Sequence, residues 1–355
     1  MPKWVDSLRA DAVFGWRQLR RNKVGSAAAI LSLALATGAC TAAFRLIDAL
    51  LLRPLPVSDP ERLHVVLFTG PSMDGYPQEY DSSSYPMFTR MRDAVSSQAD
   101  LLAVSYMDRP DVTFGSEQDT ERVYLQYVSG RLFPLFGLRP ALGRLLTGED
   151  DRQPGAHPYA VLSWDFWKRR FGGDPAIVGR TFRRGETLFE VVGVAEESFT
   201  GTETGSVTDI FVPMMMKDPQ TLQSPNNFWL RTFVKLKPGV SPAPVYDRLR
   251  ATFREIQTER AKSFTNVSPQ QLRRHFAEQL LLSPAAGGRS NLQRDYRRPL
   301  ASLAVLVALV LLIACANVAN LMTARTAARS REMALRVSLG AGRARLAQLL
   351  ILESG

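Results

Sequence analysis

Leu300–Met322 runs for 23 residues without a charged side chain. At ~1.5 Å per residue, a helix of that length crosses a ~30 Å hydrocarbon layer with room for tilt. A second run, Val24–Phe44, holds 21 uncharged residues. Two such spans put the intervening chain on one side of a bilayer and both ends on the other. Charge says which side. Residues 1–23 carry six Lys/Arg against two Asp, and residues 324–355 carry six Arg against two Glu. Everything between them is nearly balanced, with 32 basic and 30 acidic residues. Basic flanks mark the cytoplasmic face. Both termini are therefore expected in the cytoplasm, and residues 55–299 outside it. The net charge of +10 is made mostly beside the apolar runs, with no basic-aromatic stripe, so no nucleic-acid partner is expected.

Taken in order, residues 1–23 place Trp4, Val5, Leu8, Ala12, Val13, Trp16 and Leu19 at roughly helical spacing, with Arg9, Arg17, Arg20 and Arg21 among the polar positions. The pattern predicts an amphipathic helix on membrane lipid, or one packed on a partner domain. In the first span, residues 24–44, small side chains recur at Ala28, Ser32, Ala36 and Cys40. A stripe of that kind lets another helix approach closely, although general alanine richness gives the same pattern. Thr37-Gly38-Ala39-Cys40 approaches a lipoprotein cleavage box. The apolar sequence continues to Leu52, however, so a retained anchor is expected rather than a cleaved signal. Arg45 and Asp48 share one side of Arg45–Leu52, which reads as a helical stalk (residues 45–54) reaching Leu52 and stopped by Pro54 and Pro56.

The bulk, residues 55–299, alternates strand-like and helical runs. Strands are expected at 63–68, 101–106, 122–128, 159–162, 188–194, 209–213 and 229–237, and helices at 85–95, 164–170 and 245–261. Gly and Pro punctuate the joins, as in FGGDP and LKPGVSP. The fold class that follows is a membrane protein: two transmembrane α-helices flank an α+β core domain of two subdomains, one of them inserted at about 150–222. Residues 262–298 are polar and turn-rich, with an apolar patch at Leu280–Leu282 and a Gly287-Gly288 pair suited to a joint.

Motifs for chemistry are missing. GTETGS at 201–206 lacks the lysine of a phosphate loop, and HExxH, CxxC and GxSxG are absent. Cys40 and Cys315 both lie in apolar runs, and His64, His157 and His275 are far apart, so neither a disulfide framework nor a metal site is expected. No catalytic residue is expected, and the chain is read as a non-enzyme. In the second span, 300–322, Asn317 and Asn320 stand three apart and suit hydrogen bonds between helices, or simply reach the interface. In the tail, 323–355, Glu332 and Arg336 stand at i, i+4, Leu335 and Leu339 form an apolar edge, and Gly340 can end the helix. That edge suits a docking helix for a cytoplasmic partner.

At these residues a resemblance emerges. RSREMALRVSLGAGRARLAQLLILES and CANVANLMTARTAAR resemble the segment around the second helix of MacB/FtsX-type permeases. DAVFGWRQLRRNK, IDALLLRPLPVSDPERL, VSGRLFPLFGLRPALGRLLTGEDD, VLSWDFWKRRFGGDPAIVGRTF and VVGVAEESFTGTETG extend the match over nearly the whole chain. The nearest set is the duplicated orphan permeases with a MacB-like periplasmic core domain. The resemblance implies the permease subunit of an ATP-driven, mechanically transmitting ABC-type transporter in the bacterial inner membrane. ATP would be bound by a separate ABC ATPase, leaving no cofactor on this chain. The ATPase would couple at Glu332, Ala334, Leu335, Arg336, Leu339 and Gly340. Arg45, Asp48 and Leu52 would belong to the transmission stalk. Further implied partners are a second permease half or a second copy, membrane lipid, and a periplasmic adaptor or hydrolase. The hydrolase would suit an alternative role as an FtsX-like regulatory scaffold. Relatives continue past Ser354 into two more helices, so the chain is expected to be the N-terminal part of a longer unit.

Overall fold

The computed structural model describes residues 23–72, 76–115 and 119–338. The amphipathic helix expected over residues 1–23 lies outside that set apart from Lys23, as do Leu339 and Gly340. The side chains of Ala28, Glu332, Ala334, Leu335 and Arg336 lie outside it as well. The chain divides into two units, residues 1–51 with 295–355, and residues 52–294.

Helix α1 (Lys23–Ile47) passes into a π-helical turn at Asp48–Leu52. There follow β1 (Leu63–Pro71), β2 (Pro77–Tyr80), β3 (Ser82–Ser83), α2 (Tyr85–Val95) and β4 (Ala99–Ser105). Next come β5 (Asp111–Phe114), β6 (Thr120–Arg122), β7 (Leu125–Val128), α3 (Leu132–Phe136), β8 (Pro140–Gly143) and β9 (Tyr159–Leu162). The chain continues through α4 (Trp164–Phe171), β10 (Thr181–Arg184), β11 (Thr187–Ala195), β12 (Ile210–Pro213) and α5 (Pro219–Gln223). It ends on β13 (Leu230–Leu236), α6 (Pro242–Lys262), α7 (Pro269–Ala277), β14 (Gln279–Pro284) and α8 (Asn291–Ser338).

Local chemistry explains the boundaries. Helix α2 starts where Ser84 accepts from the Met87 amide at 3.4 Å and a proline occupies the first turn. Helix α4 starts on Ser163 in the same way and ends at Gly172 (φ +62°), whose amide donates to Lys168 O. Residues 122–128, expected as one strand, split into β6 and β7. The Asp209 carboxylate takes the Tyr124 amide at 2.9 Å, and the Val123 amide turns to Pro110 O. This leaves β6 to pair β5 while β7 pairs β12 and β4.

The strands form a single mixed sheet in the order β14-β1-β13-β4-β7-β12-β9-β11-β10-β5-β6, with β2, β3 and β8 attached at the sides. Only β7–β12 and β9–β11 are parallel among the described pairs. Residues 150–222 supply β9 to β12 to this same sheet. Both faces are buried. Val66, Phe68, Leu101, Leu162, Val212 and Val234 point to one core, covered by α2 and α6 through Met91, Val95, Leu249 and Phe253. Their neighbours Val65, Leu67, Leu102, Val161, Phe211 and Phe233 point to the other, covered by Phe133 and Phe136 of α3 and by Phe199. Alternate side chains thus enter opposite cores, which is why β13 is buried along its whole length even though Arg231, Thr232 and Lys235 interrupt its apolar residues. Each aromatic or aliphatic side chain so buried contributes about 1.5–3 kcal/mol.

Two segments among the described residues, lying mostly in the smaller unit, are long and apolar enough to cross a bilayer, Ile30–Leu52 and Asn291–Asn320. Leu35 is 72% exposed and Leu312 is 65% exposed, a surface suited to lipid rather than water. Helix α8 begins nine residues before the expected start at 300 and carries Pro299 inside it.

Candidate functional site

The larger unit is closed at its root, where the chain comes in at Leu55 and goes out near Ala286. The Leu55 amide donates to Ala286 O at 2.7 Å, and the Ala285 amide to Leu63 O at 2.9 Å. From there β1 and β14 run antiparallel through six paired positions, His64 opposite Pro284 to Thr69 opposite Gln279. The incoming side is anchored again by Lys235. Its Nζ donates to Ser58 O (2.7 Å), Ser58 Oγ (2.9 Å) and Leu135 O (2.6 Å), and burial lowers its pKa. On the outgoing side Gly288 adopts φ +75° with Thr202 O only 2.5 Å from where a Cβ would stand. Glycine is required there both for the backbone angle and for the close approach. The Arg289 amide donates to Thr202 O at 3.1 Å, Thr204 Oγ1 donates to Gly287 O, and Ser290 caps α8 through Gln293.

Beside this root lies a buried ionic node. Arg231, on β13, has no exposed surface. Its Nε donates to Asp81 Oδ2 at 2.7 Å and its Nη1 to Glu203 Oε1 at 3.3 Å. Tyr106 donates to Asp81 Oδ1 at 2.6 Å while its ring lies 5.0 Å from the Arg231 guanidinium. Gln126 Nε2 donates to Glu203 Oε1, and Thr208 Oγ1 donates to Gln126 Oε1. Arg289 reaches the same node at Asp81 Oδ2 (3.5 Å) and pairs with Glu79 (2.6 Å). Burial pushes the Asp81 carboxyl up, but Arg231 and the Tyr106 hydroxyl outweigh it and hold the pKa below the usual value. For Glu203 burial wins over Arg231, and its pKa is raised. The node therefore ties β13, the β2–β3 link, the 201–208 loop and the segment entering α8 into one charged knot. What it can do is hold and transmit position. Among the described residues no cluster of His, Cys, Asp or Glu could hold a metal.

The residues singled out from the sequence lie elsewhere. Arg45 is in the last turn of α1 and exposed, while Asp48 and Leu52 lie in the π-helical turn. Ala36 is fully buried and Ser32 half-buried on α1, whereas Asn317 and Asn320 are exposed on α8. Sequence reasoning missed Arg231, Asp81, Glu203 and Gln126. One signal was present: Arg231 and Lys235 are the two charges in the LRTFVKL run, whose only other polar residue is Thr232.

The family described as MacB-like periplasmic core domain matches residues 26–252, ending within α6. No curated protein matches the chain. Among solved structures, a domain assigned to a candidate permease protein of Porphyromonas gingivalis is similar at 16% identity and TM-score 0.49, covering 68% of this chain and 98% of its own. The periplasmic region of MacB from Actinobacillus actinomycetemcomitans is similar at 13% identity and TM-score 0.44, covering 69% and 96%. The extracellular domain of the noncanonic ABC-type transporter YknZ from Gram-positive bacteria stands at 14% and 0.41, covering 61% and 99%.

Proposed function

The chain belongs to the MacB-like periplasmic core domain family, a membrane-anchored, extracytoplasmic module of MacB/FtsX-type permeases, and from that premise we propose that it converts cytoplasmic ATP hydrolysis into motion of this domain. In this reading α1 and α8 both cross the inner membrane, the two termini are cytoplasmic, and the chain works with a second permease half or a second copy. The ATPase docks on the tail at Glu332, Ala334, Leu335, Arg336, Leu339 and Gly340. The Arg45–Leu52 stalk and the start of α8 carry the displacement outward, to drive export of a substrate.

The observation that carries the proposal is the closed root. Leu55 and Ala286 are hydrogen-bonded to one another, and the segment entering α8 is wired through Arg289 to the Asp81–Arg231 node. A displacement applied at either end reaches β13 through the root hydrogen bonds and the Arg289 ion pair instead of a slack linker. Such networks are costly to distort because their charges are desolvated.

The test is co-purification of the solubilised full chain from its own host, comparing wild type with Leu335→Asp. The wild type retains an ATP-hydrolysing subunit and the variant loses it. An ATPase retained equally by both overturns the coupling role of the tail.

A further inference from the structure

On α6, Arg250, Phe253, Arg254, Gln257 and Thr258 recur at i, i+3, i+4, i+7 and i+8, the spacing of a single helical stripe. That stripe forms one wall of a cavity of about 260 Å³. Phe276 of α7, Glu278 and the first residues of β14 complete it. Phe253 and Leu280 are buried and give the cavity an apolar floor, while Phe276 is 49% exposed. The frame is fixed. Gln257 Nε2 donates to His275 O at 2.7 Å and to Glu278 O at 3.2 Å, pinning the end of α7 to α6. Gln279 lies opposite Thr69, five residues along the ladder from His64 and Pro284, or about 17 Å from the root.

The charge in the lining is unbalanced. Arg250 and Arg254 stand one turn apart on α6, where like charges repel. Among the described residues neither guanidinium has a hydrogen-bond or ion-pair partner. The nearby acids are committed elsewhere. Glu259 of α6 pairs with Arg90 of α2, and Glu278 accepts from Tyr80 and faces Arg260. The Thr258 hydroxyl donates to Arg254 O at 2.8 Å, so the two arginines are the strong donors left in the lining.

We propose that this cavity binds a small organic anion, an oxyanion head on a single ring or short chain. The head lies between Arg250 and Arg254, and the apolar body lies against Phe253, Leu280 and Phe276. Such a ligand replaces a repulsion by charge-assisted pairs, and the guanidinium fork suits a carboxylate or a phosphate. The volume is smaller than that of a drug-sized site, which limits the body to about one ring. The proposal needs only the folded larger unit and does not rest on motion driven by ATP.

The test uses the full chain in phosphatidylcholine nanodiscs, with empty nanodiscs as the blank, and 4-fluorophenylacetate observed by fluorine NMR. The probe is expected to broaden with the chain beyond the blank. Phenylacetate or phenyl phosphate displaces it, the stronger competitor identifying the head group, while acetate at the same concentration does not. Arg250→Ala with Arg254→Ala is expected to weaken binding ~10-fold or more, given the strength of charge-assisted pairs. Arg250→Glu with Arg254→Glu is expected to turn the preference to 4-fluorophenethylamine, which a misfolded variant could not do. No broadening beyond the blank, binding indifferent to the arginines, or displacement by acetate as readily as by phenylacetate overturns the proposal. Each of these results leaves the Leu335→Asp experiment free to succeed.

Discussion

Arg231 Nε donates to Asp81 Oδ2 at 2.7 Å, joining the start of β13 to the link between β2 and β3 across 150 residues of chain. Both side chains are buried, and Glu203 completes the group. Arg231→Met leaves the buried Glu203 carboxylate without its counter-charge and Asp81 with only Arg289 at 3.5 Å, and is expected to destabilise the core by about 3–5 kcal/mol in urea unfolding. Adding Asp81→Asn and Glu203→Gln removes the uncompensated charges and is expected to recover most of that loss. A single variant that unfolds like wild type would show the pair to be mechanically idle.

Gly288→Ala and Gly239→Ala separate strain from close approach. Both glycines have φ near +75°, but a Cβ at 288 would meet Thr202 O at 2.5 Å, while at 239 nothing lies within 4 Å. Gly239→Ala carries the backbone cost alone, ~1 kcal/mol. Gly288→Ala must also open the contact to the 201–208 loop, and its melting temperature is expected to fall clearly further. Equal losses would mean that the loop yields freely.

Asp151 gives the core a pH dependence. Burial pushes its carboxyl up to about 6, against amides donated by Gly130 (3.0 Å) and Met215 (2.8 Å). The folded protein thus holds this proton more tightly than the unfolded chain, so its contribution improves as pH falls through about 6 towards ~4. Glu203 acts in the same direction. Asp81 has the opposite sign: its contribution is present at neutral pH and lost as pH falls below ~4 through its lowered folded value. Melting temperature is therefore expected to rise from about pH 8 to about pH 5 and then drop, with Asp151→Asn flattening the rise. A slope unchanged in Asp151→Asn would assign it to other groups.

Topology is tested by a single cysteine. Glu186, exposed in the β10–β11 turn, is changed to cysteine in a chain carrying Cys40→Ala and Cys315→Ala. The new thiol is expected to react with a membrane-impermeant reagent added outside intact spheroplasts. Reaction only after the membrane is opened would reverse the orientation read from the charge split.

Much of the core was legible because local chemistry agrees with the tertiary outcome. Residues 85–95 and 159–162 were placed to the residue from their apolar patterning, and the structure agrees: the Ser84 cap and the proline in the first turn start the helix, and the strand is a short apolar run between turns. The split of 122–128 was not legible, since the carboxylate that divides it comes from Asp209, 85 residues away. Strand β14 was hidden for a different reason. Its apolar patch was visible, yet an edge strand beside a polar helix lacks the flanking pattern of a central one. The ionic node was the least legible part: Arg231 stood out as a charge in an apolar run, but its partners are fixed only when β13 is set beside β4 and β3. The two long apolar runs were readable from composition alone, because lipid asks only for length and lack of charge.

The pairing of β1 with β14 also sorts the motions that the domain can follow. Leu63 and Pro284 lie at the same end of the ladder, so a tug on both tethers together hauls the sheet as a unit and breaks no rung. Prising the tethers apart instead unzips the ladder one rung at a time, beginning at His64 and Pro284. The domain is accordingly stiff to a lift and yielding to a splay.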